Sequence, residues 1–389
     1  MAGILIHDGR RTGHLGWCEK AIADGVADGV FISAFSTPRV GTPRNPSAER
    51  LADTIRATGG EVVFDVETHA RVLPTSNRVD FYDTWELWGP AGVGLDTPTR
   101  RLQHIERVFR RQESIGAPHL APTLALDSPD SDAATHALAA AELASGMSEN
   151  SWQSLVATKT FLRSGYRLDE YVGQLAALGS PTWVITVANE VVLGQAPDVG
   201  DTEAFAGLLR SIHSLSERSR VIVAKSDFVG LLGVAAGADT VGGGWDRSMR
   251  TYDPNAFHVA SDDGIRIPAS YVTQSGLLAV LRRDTAEAIE RLDSALASAI
   301  RGGAMPPSDR AEREHHLRTI REVVLAMNQS ESRGDRVEVL RNLYATADNY
   351  FVDLLARVPA FVKNSDKVAW HDQQQAILRE YASAEGLWV

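Results

Sequence analysis

Short apolar runs recur along the first 250 positions, and an amphipathic run of helical period follows each one. Gly3–Arg10, Asp28–Ser36, Glu61–His69 and His119–Leu126 read as strands, as do Ser154–Phe161, Thr182–Glu190, Arg220–Asp227 and Asp239–Trp245. The intervening helices read as Gly13–Asp24, Ser47–Thr58, about 99–114, an Ala-rich run to Ser145, Leu168–Leu178, Thr202–Ser216 and Leu231–Ala236. Ser47 is placed to cap the second helix and Gly59 to stop it. Strict alternation predicts parallel pairing, because parallel strands need crossovers. Eight such units predict a TIM-type (β/α)8 barrel, a fold of about 250 residues. A doubly wound open sheet is the other solution, but the Gly9–Gly13 turn lacks the G-x-G-x-x-G spacing of that fold.

After Arg250 the pattern changes. Phe257–Tyr271 reads as a hairpin turning at Asp263-Gly264. Four longer helical periods follow, over about 276–300, 309–327, 336–355 and 368–384. The expected organisation is a barrel over 1–255, a hairpin and linker over 256–275, and an all-helical appendage over 276–389. Its amphipathic helices must bury one face somewhere, which makes the appendage the expected contact of a homo-oligomer.

Composition narrows the function. The chain of 389 residues carries 39 Lys and Arg against 50 Asp and Glu, a net charge of −11. That balance speaks against a protein that coats nucleic acid, where phosphate contact needs clustered cations. The lone cysteine, Cys18, permits neither an internal disulfide nor a Cys-rich zinc site, and it reads as a buried small hydrophobe. The first apolar run stops at Asp8, too short for a signal peptide, and no run approaches the ~18 apolar residues of a membrane span. A cytoplasmic protein with no membrane partner is the expectation.

Barrel active sites sit where strands end, so the strand reading yields a residue set. Strand one ends at Asp8 and Arg10, strand two at Ser33 and Ser36, and strand three at Asp65, Glu67 and His69. Strand five carries Lys159, six Asn189 and Glu190, seven Lys225 and Asp227, and eight Trp245 and Asp246. Side chains repeat every two residues, so Asp65, Glu67 and His69 share a face, and Lys225 and Asp227 share the face of Val221 and Val223. Charges that continue an inward apolar face are costly unless they bind something. Asp65, Glu67 and His69 have the chemistry of a divalent-metal ligand set, although no cofactor is required by the pattern. Lys159 or Lys225 could form a Schiff base or hold a phosphate or carboxylate. Gly242, Gly243 and Gly244, placed after strand eight, allow close approach of a ligand or a tight turn. Asn189-Glu190 resembles a retaining-glycosidase acid position, but that chemistry needs a second carboxylate about 5 Å away, and the strand order does not match. The segment Asp80–Gly89 (DFYDTWELWG) reads either as a binding loop or as a patch over the rim. His315, His316 and His371 stand among charges and read as solvated.

Three stretches resemble the tRNA-guanine transglycosylase superfamily and its deazaguanine relatives. They are 154–190, ending in Asn189-Glu190; 235–253 (AAGADTVGGGWDRSMRTYD); and the Asp-Gly hairpin of 257–271. Together they span about 120 residues. The family's Asp-Ser-Gly-Gly-Phe motif and its Cys-rich zinc site are absent, and its nucleophilic Asp falls nearest Gly242. The resemblance implies base exchange at a glycosidic bond, with Asp246 as nucleophile, Asp65 on the base edge, and Arg247 and Arg250 on phosphate.

The sequence therefore predicts an enzyme acting at the barrel mouth on a small polar, nucleobase- or phosphate-bearing substrate. Catalysis is assigned to Asp65, Glu190, Lys225, Asp227 and Asp246. Asp8, Arg10, Glu67, His69, Lys159, Asn189, Gly242, Gly243, Gly244, Trp245, Arg247 and Arg250 are assigned to substrate. Two rivals stay open: a metal-dependent hydrolase or lyase using Asp65, Glu67 and His69, and a degenerate barrel that binds a protein partner.

Overall fold

The computed structural model describes residues 3–9, 13–73, 80–190, 196–257 and 270–387. Eight parallel strands form one sheet: β1 (Gly3–His7), β2 (Gly29–Ser33), β3 (Glu61–Asp65), β4 (Ala125–Leu126), β5 (Gln153–Thr158), β6 (Thr182–Ala188), β7 (Arg220–Ala224) and β8 (Thr240–Gly244). Their order is β3-β2-β1-β8-β7-β6-β5-β4, so the first and last strands pair and the ribbon curls into a TIM-type barrel. All eight sequence-predicted strands are present. All but β4, which ends at Leu126 as predicted, stop one to four residues short of the predicted end, where the chain turns out of the ladder.

The helices are α1 (His14–Ala23), α2 (Ala48–Ala57), α3 (Thr68–Arg71), α4 (Asp80–Thr84), α5 (Pro98–Ser114), α6 (Asp132–Met147), α7 (Lys159–Leu162), α8 (Tyr166–Ala177), α9 (Thr202–Ser216) and α10 (Gly230–Ala235). Beyond the barrel strands lie α11 (Arg283–Leu292), α12 (Ser294–Arg301), α13 (Asp309–Asn328), α14 (Arg333–Arg357), α15 (Asn364–Lys367) and α16 (Gln373–Ala384). Ser47 caps α2 as its sequence position predicts, accepting the Arg50 N–H at 3.2 Å.

Strand alternation sorts the core into two layers. Leu5, Phe31, Val63, Leu120, Val184, Ile222 and Ala224 fill the barrel, while Ile4, Ile6, Ile32, Phe64, Ile185 and Val223 face the helical shell. Among the described residues, no ladder joins β3 to β4. At that seam the Gln112 side-chain amide, fully buried on α5, donates to Phe64 O and Leu120 O at 3.0 Å each and accepts the Leu120 N–H at 3.0 Å. One glutamine thus stands in for the missing peptide pairing.

The C-terminal helices wrap the barrel directly. Among them, α13 packs on β1 and β8, the position between those strands on the shell, and Arg321 on α13 pairs with Asp28 at 2.8 Å. Residues 276–282 correct the sequence reading, which made them the start of a helix. They continue into β10 (Ala279–Arg282), antiparallel to β9 (Tyr271–Gln274), with Leu278 at φ 49° making the turn; helix begins at Arg283. Most of the predicted hairpin at Asp263-Gly264 lies outside the described residues. Asp80–Gly89 packs beside the residues that follow β2 and β3, with Tyr82 on Phe35 at 4.7 Å. Tyr82, Trp85 and Leu87 are buried in the core, with Trp85 packed on Phe64 and its indole N–H donated to Thr37 O at 3.0 Å. No helix of the described residues is long and apolar enough to cross a membrane.

Candidate active site

Three non-glycine residues just beyond β3 and β7 sit in the left-handed backbone region: Glu67 (φ 50°), Lys225 (φ 47°) and Asp227 (φ 48°). Each such residue costs on the order of 1–3 kcal/mol and persists only where its surroundings hold it. Here the turn re-aims side chains. Val221 and Val223 face the shell, so unbroken alternation would send Lys225 outward with them. The left-handed turn instead carries its ammonium across the mouth to Glu67 Oε1. This corrects the expectation that Lys225 and the two valines share an inward face.

Glu67 is 2% exposed and Lys225 9%. Ser33 Oγ donates to the other carboxylate oxygen of Glu67 at 2.8 Å. Burial works against the Glu67 carboxylate, but the Lys225 charge and the hydrogen bonds from Lys225 and Ser33 outweigh it and hold its pKa below the ordinary value. Asp65, two residues earlier, goes the other way. It is half-buried, its Oδ1 accepts the Glu67 N–H at 2.8 Å, and burial together with the Glu67 charge pushes its pKa up to about 6.

Two imidazoles and a phenol complete the cluster. The Lys225 amide N–H donates to His7 Nε2 at 3.1 Å, which assigns the ring proton to Nδ1, and the ring stacks on Phe31 at 4.5 Å. Burial, then the Lys225 charge, hold His7 well below its usual pKa, so it is neutral. His69 is pushed down to about 4 by burial. It meets the Tyr252 ring edge-on at 4.8 Å, and its Nε2 has no hydrogen-bond partner among the described residues. The Lys225 ammonium lies 5.4 Å from the centre of that Tyr252 ring.

The β8 side of the mouth forms a second group. Asp8 accepts from Thr37 Oγ1 and lies 3.1 Å from His14 Nε2. Asp246 pairs with Arg313 of α13 at 3.4 Å. Arg250 is buried and donates to Gly244 O at 3.1 Å, and Arg247 stacks on Tyr271 at 3.4 Å. Burial and the neighbouring Arg250 charge bring Arg247 down to about 10. Asp227 pairs with His316 at 3.2 Å. Burial opposes its ionisation, yet His316, Arg250 and the Phe228 N–H hold it at about 2. His316 is fully buried and His371 1% exposed, which corrects their reading as solvated. Their helices dock on the shell, so the rings face inward.

The remaining predicted residues are dispersed. Lys159 opens α7 and pairs with Asp198, and Glu190 is exposed. Asn189 donates its N–H to Tyr252 O at 2.8 Å, and its Oδ1, unpartnered among the described residues, borders a cavity of about 20 Å³ shared with Lys225, Ser226 and Thr251. Trp245 is fully buried against Trp17. Arg10 lies outside the described residues. Gly242, Gly243 and Gly244 lie within β8 and are not the loop after it. A Cβ at 242 would stand 2.5 Å from His7 Nε2, and one at 244 would stand 2.4 Å from Met249 C, so these glycines make room for the protein's own residues.

Asp65, Glu67 and His69 do not form a metal-ligand set. Among the described residues, only Asp348, His371 and Asp372 bring three ligand atoms within 4.8 Å, and Lys367 already lies between the two aspartates at 2.8 and 2.7 Å. In the mouth, Lys225 occupies the Glu67 oxygen that a metal would need. His7, Tyr252, Arg313 and His316 were not assigned to the site from sequence, and Ser33 was named only as the end of strand two. Alternation from Leu5 does place His7 inside the barrel; Tyr252, Arg313 and His316 carry no comparable signal, because the fold alone brings them there.

No protein-family model matches the chain, and no curated protein matches it. Among solved structures, a ligand-free tryptophan synthase from M. tuberculosis is similar at 14% identity, covering 82% of this chain and 93% of its own, with a TM-score of 0.32. An L-ribulose 3-epimerase is similar at 13% identity, covering 85% of this chain and 100% of its own, with a TM-score of 0.38. The assignment of a TIM-type barrel stands on the strand order itself.

Proposed function

We propose that this barrel is an enzyme whose mouth performs general acid–base chemistry on a small polar substrate, with Asp65 as the proton carrier. The observation that carries this is the separation of two carboxylates two residues apart. Glu67 is kept ionised by Lys225, while Asp65 is raised to about 6. Environments that push neighbouring titratable groups apart mark an acid–base pair, and a pKa near the working pH makes the transfer efficient. Asp65 is also the half-open member of the set, so a substrate reaches it first. Glu67 and Lys225, paired in the resting site, would orient polar groups of the substrate. Arg247, Arg250 and Arg313, gathered beyond β8, support a substrate with an anionic part such as a phosphate.

The test is a titration of the carboxylates by carbon-detected NMR. Asp65, identified with Asp65→Asn, is expected to titrate near pH 6. An Asp65 that titrates with the surface aspartates overturns the reading.

A second reading, base exchange at a glycosidic bond, is favoured by Asp246, a buried carboxylate at the end of β8 oriented by Arg313. In it Asp246 attacks the sugar carbon and Asp65 holds the base edge. Binding of a 7-deazaguanine that is lost in Asp65→Asn but kept in Asp246→Asn would support this version; no binding in the wild type would sink it.

A further inference from the structure

We propose that Lys225 is the amine of a carbonyl site, forming an imine with an aldehyde or ketone presented at the barrel mouth. This rests on the reading of the mouth as an acid–base site and adds to it the electrophile.

The first observation is a choice of cation. The chain contains thirty-four arginines and only five lysines. Among the described residues, the three most shielded long-range pairs of a carboxylate with Lys or Arg besides this one use arginine: Arg220 with Glu61, Arg321 with Asp28, Arg313 with Asp246, while the lysine pair Lys159–Asp198 is more open. Arginine suits that role, since its planar fork binds carboxylates and stays charged. Yet the partner of Glu67, in a pair more deeply buried than any of these, is lysine. A guanidinium cannot release its proton in a protein, whereas an ammonium can, and the neutral amine is a nucleophile. Of the other four lysines, Lys20 and Lys363 are exposed; Lys159, directly after β5, pairs with Asp198, and Lys367 pairs with Asp348, neither pair as deeply buried as that of Lys225.

The second observation is what surrounds Nζ. Glu67 is in contact to take its proton, and Asp65 stands beside Glu67 at the open edge. The Tyr252 ring forms one wall. The Lys225 backbone is fixed by its hydrogen bond to His7, so the amine is presented at a set position.

The step balances as follows. The Lys225 ammonium gives a proton to Glu67. Neutral Nζ attacks the carbonyl carbon, a C–N bond forms, and the C=O π pair moves onto oxygen. Asp65 carries a proton from nitrogen to that oxygen, giving a carbinolamine. Glu67 returns its proton to the hydroxyl, which leaves as water while the nitrogen lone pair closes the C=N bond. The products are a protonated imine and water, with both carboxylates restored.

The experiment is reductive trapping of the full chain at neutral pH with cyanoborohydride, using glycolaldehyde and pyruvate as separate probes, followed by peptide mass mapping. Lys225 is expected to carry the reduced adduct ahead of exposed Lys20 and Lys363. The label at 225 is lost in Lys225→Arg and reduced in Glu67→Gln, with the surface lysines unchanged. Adducts on Lys20 and Lys363 with Lys225 unmodified in the wild type overturn the proposal, and that comparison needs no variant to fold. An unlabelled Lys225 together with an Asp65 that titrates near pH 6 removes the imine and leaves the acid–base reading. An ordinary Asp65 removes the acid–base reading itself.

Discussion

Arg220, the first residue of β7, pairs with Glu61, the first residue of β3, at 2.9 Å from Nη2 to Oε2. Lys225 and Glu67 repeat the connection just past the other ends of the same two strands. Strands β3 and β7 are therefore tied across both the floor and the mouth of the barrel. The floor pair is braced by Asp239, Thr240 and Trp152 around the guanidinium. The mouth pair is instead set on two left-handed residues beside Asp65, whose carboxyl is raised to about 6. The same connection is thus braced at one end and, at the other, carries the groups to which the proposed chemistry is assigned.

Breaking the mouth pair from one side should be costly. Lys225→Met leaves the Glu67 carboxylate buried without its cation, a change worth about 3–5 kcal/mol. Adding Glu67→Gln removes the stranded charge and should restore part of the loss. Denaturant unfolding of the two singles and the double measures the coupling. The folded-state pKa of Glu67 is lowered, so its contribution is present above its unfolded value of 4.5 and lost as pH falls below it. That acid-induced loss should shrink in Lys225→Met.

Asp65 has the opposite sign. Its pKa is raised from 3.8 to about 6, so the protonated form fits the fold better and ionisation costs stability as pH rises through that window. Asp65→Asn should therefore stabilise the protein at pH 8, by about 1–3 kcal/mol, and the gain should vanish towards pH 4. Thermal melts across pH read this directly. A uniform gain or any loss at pH 8 would contradict the placement of Asp65.

Gly242→Ala sets a methyl 2.5 Å from His7 Nε2 and 2.9 Å from the Ala224 Cα, with backbone on one side. Overpacking of this kind costs about 1–3 kcal/mol and should displace His7 from the Lys225 amide. Gly243→Ala meets nothing closer than the flexible Ile4 Cδ1 at 3.1 Å and should be the milder of the two. Paired melting curves, with the His7 ring signals followed by NMR, distinguish them.

Gln112→Leu keeps the volume at the seam but strands Phe64 O, Leu120 O and the Leu120 N–H. Unpaired buried groups cost about 1–3 kcal/mol each, so a loss on the order of 3 kcal/mol is expected. Amide exchange at Leu120 should accelerate more than at residues of β6.

The barrel was legible because its signal is periodic: eight apolar runs separated by amphipathic helices admit few topologies. The strand ends placed Asp65, Glu67 and Lys225 near one another. Alternation failed beyond Ala224, where a single positive φ at Lys225 reverses the face, and no residue type announces that reversal. Gly242–Gly244 looked like a ligand loop because close approach to a ligand and close approach to His7 require the same residue. His316 looked solvated because its helix is rich in charge, and the packing that buries it comes from a helix more than 60 residues after β8.

The glutamine seam also tells where this chain can be cut. Every main-chain ladder of the barrel lies either within residues 3–65 or within 125–244, or joins those two parts through β1 and β8. Among the described residues, the stretch between them contributes side-chain contacts and the Leu120–Trp152 bridge. A break at the exposed Val93 would sever no strand pairing. Two fragments meeting there would share the β1–β8 ladder as their joining edge.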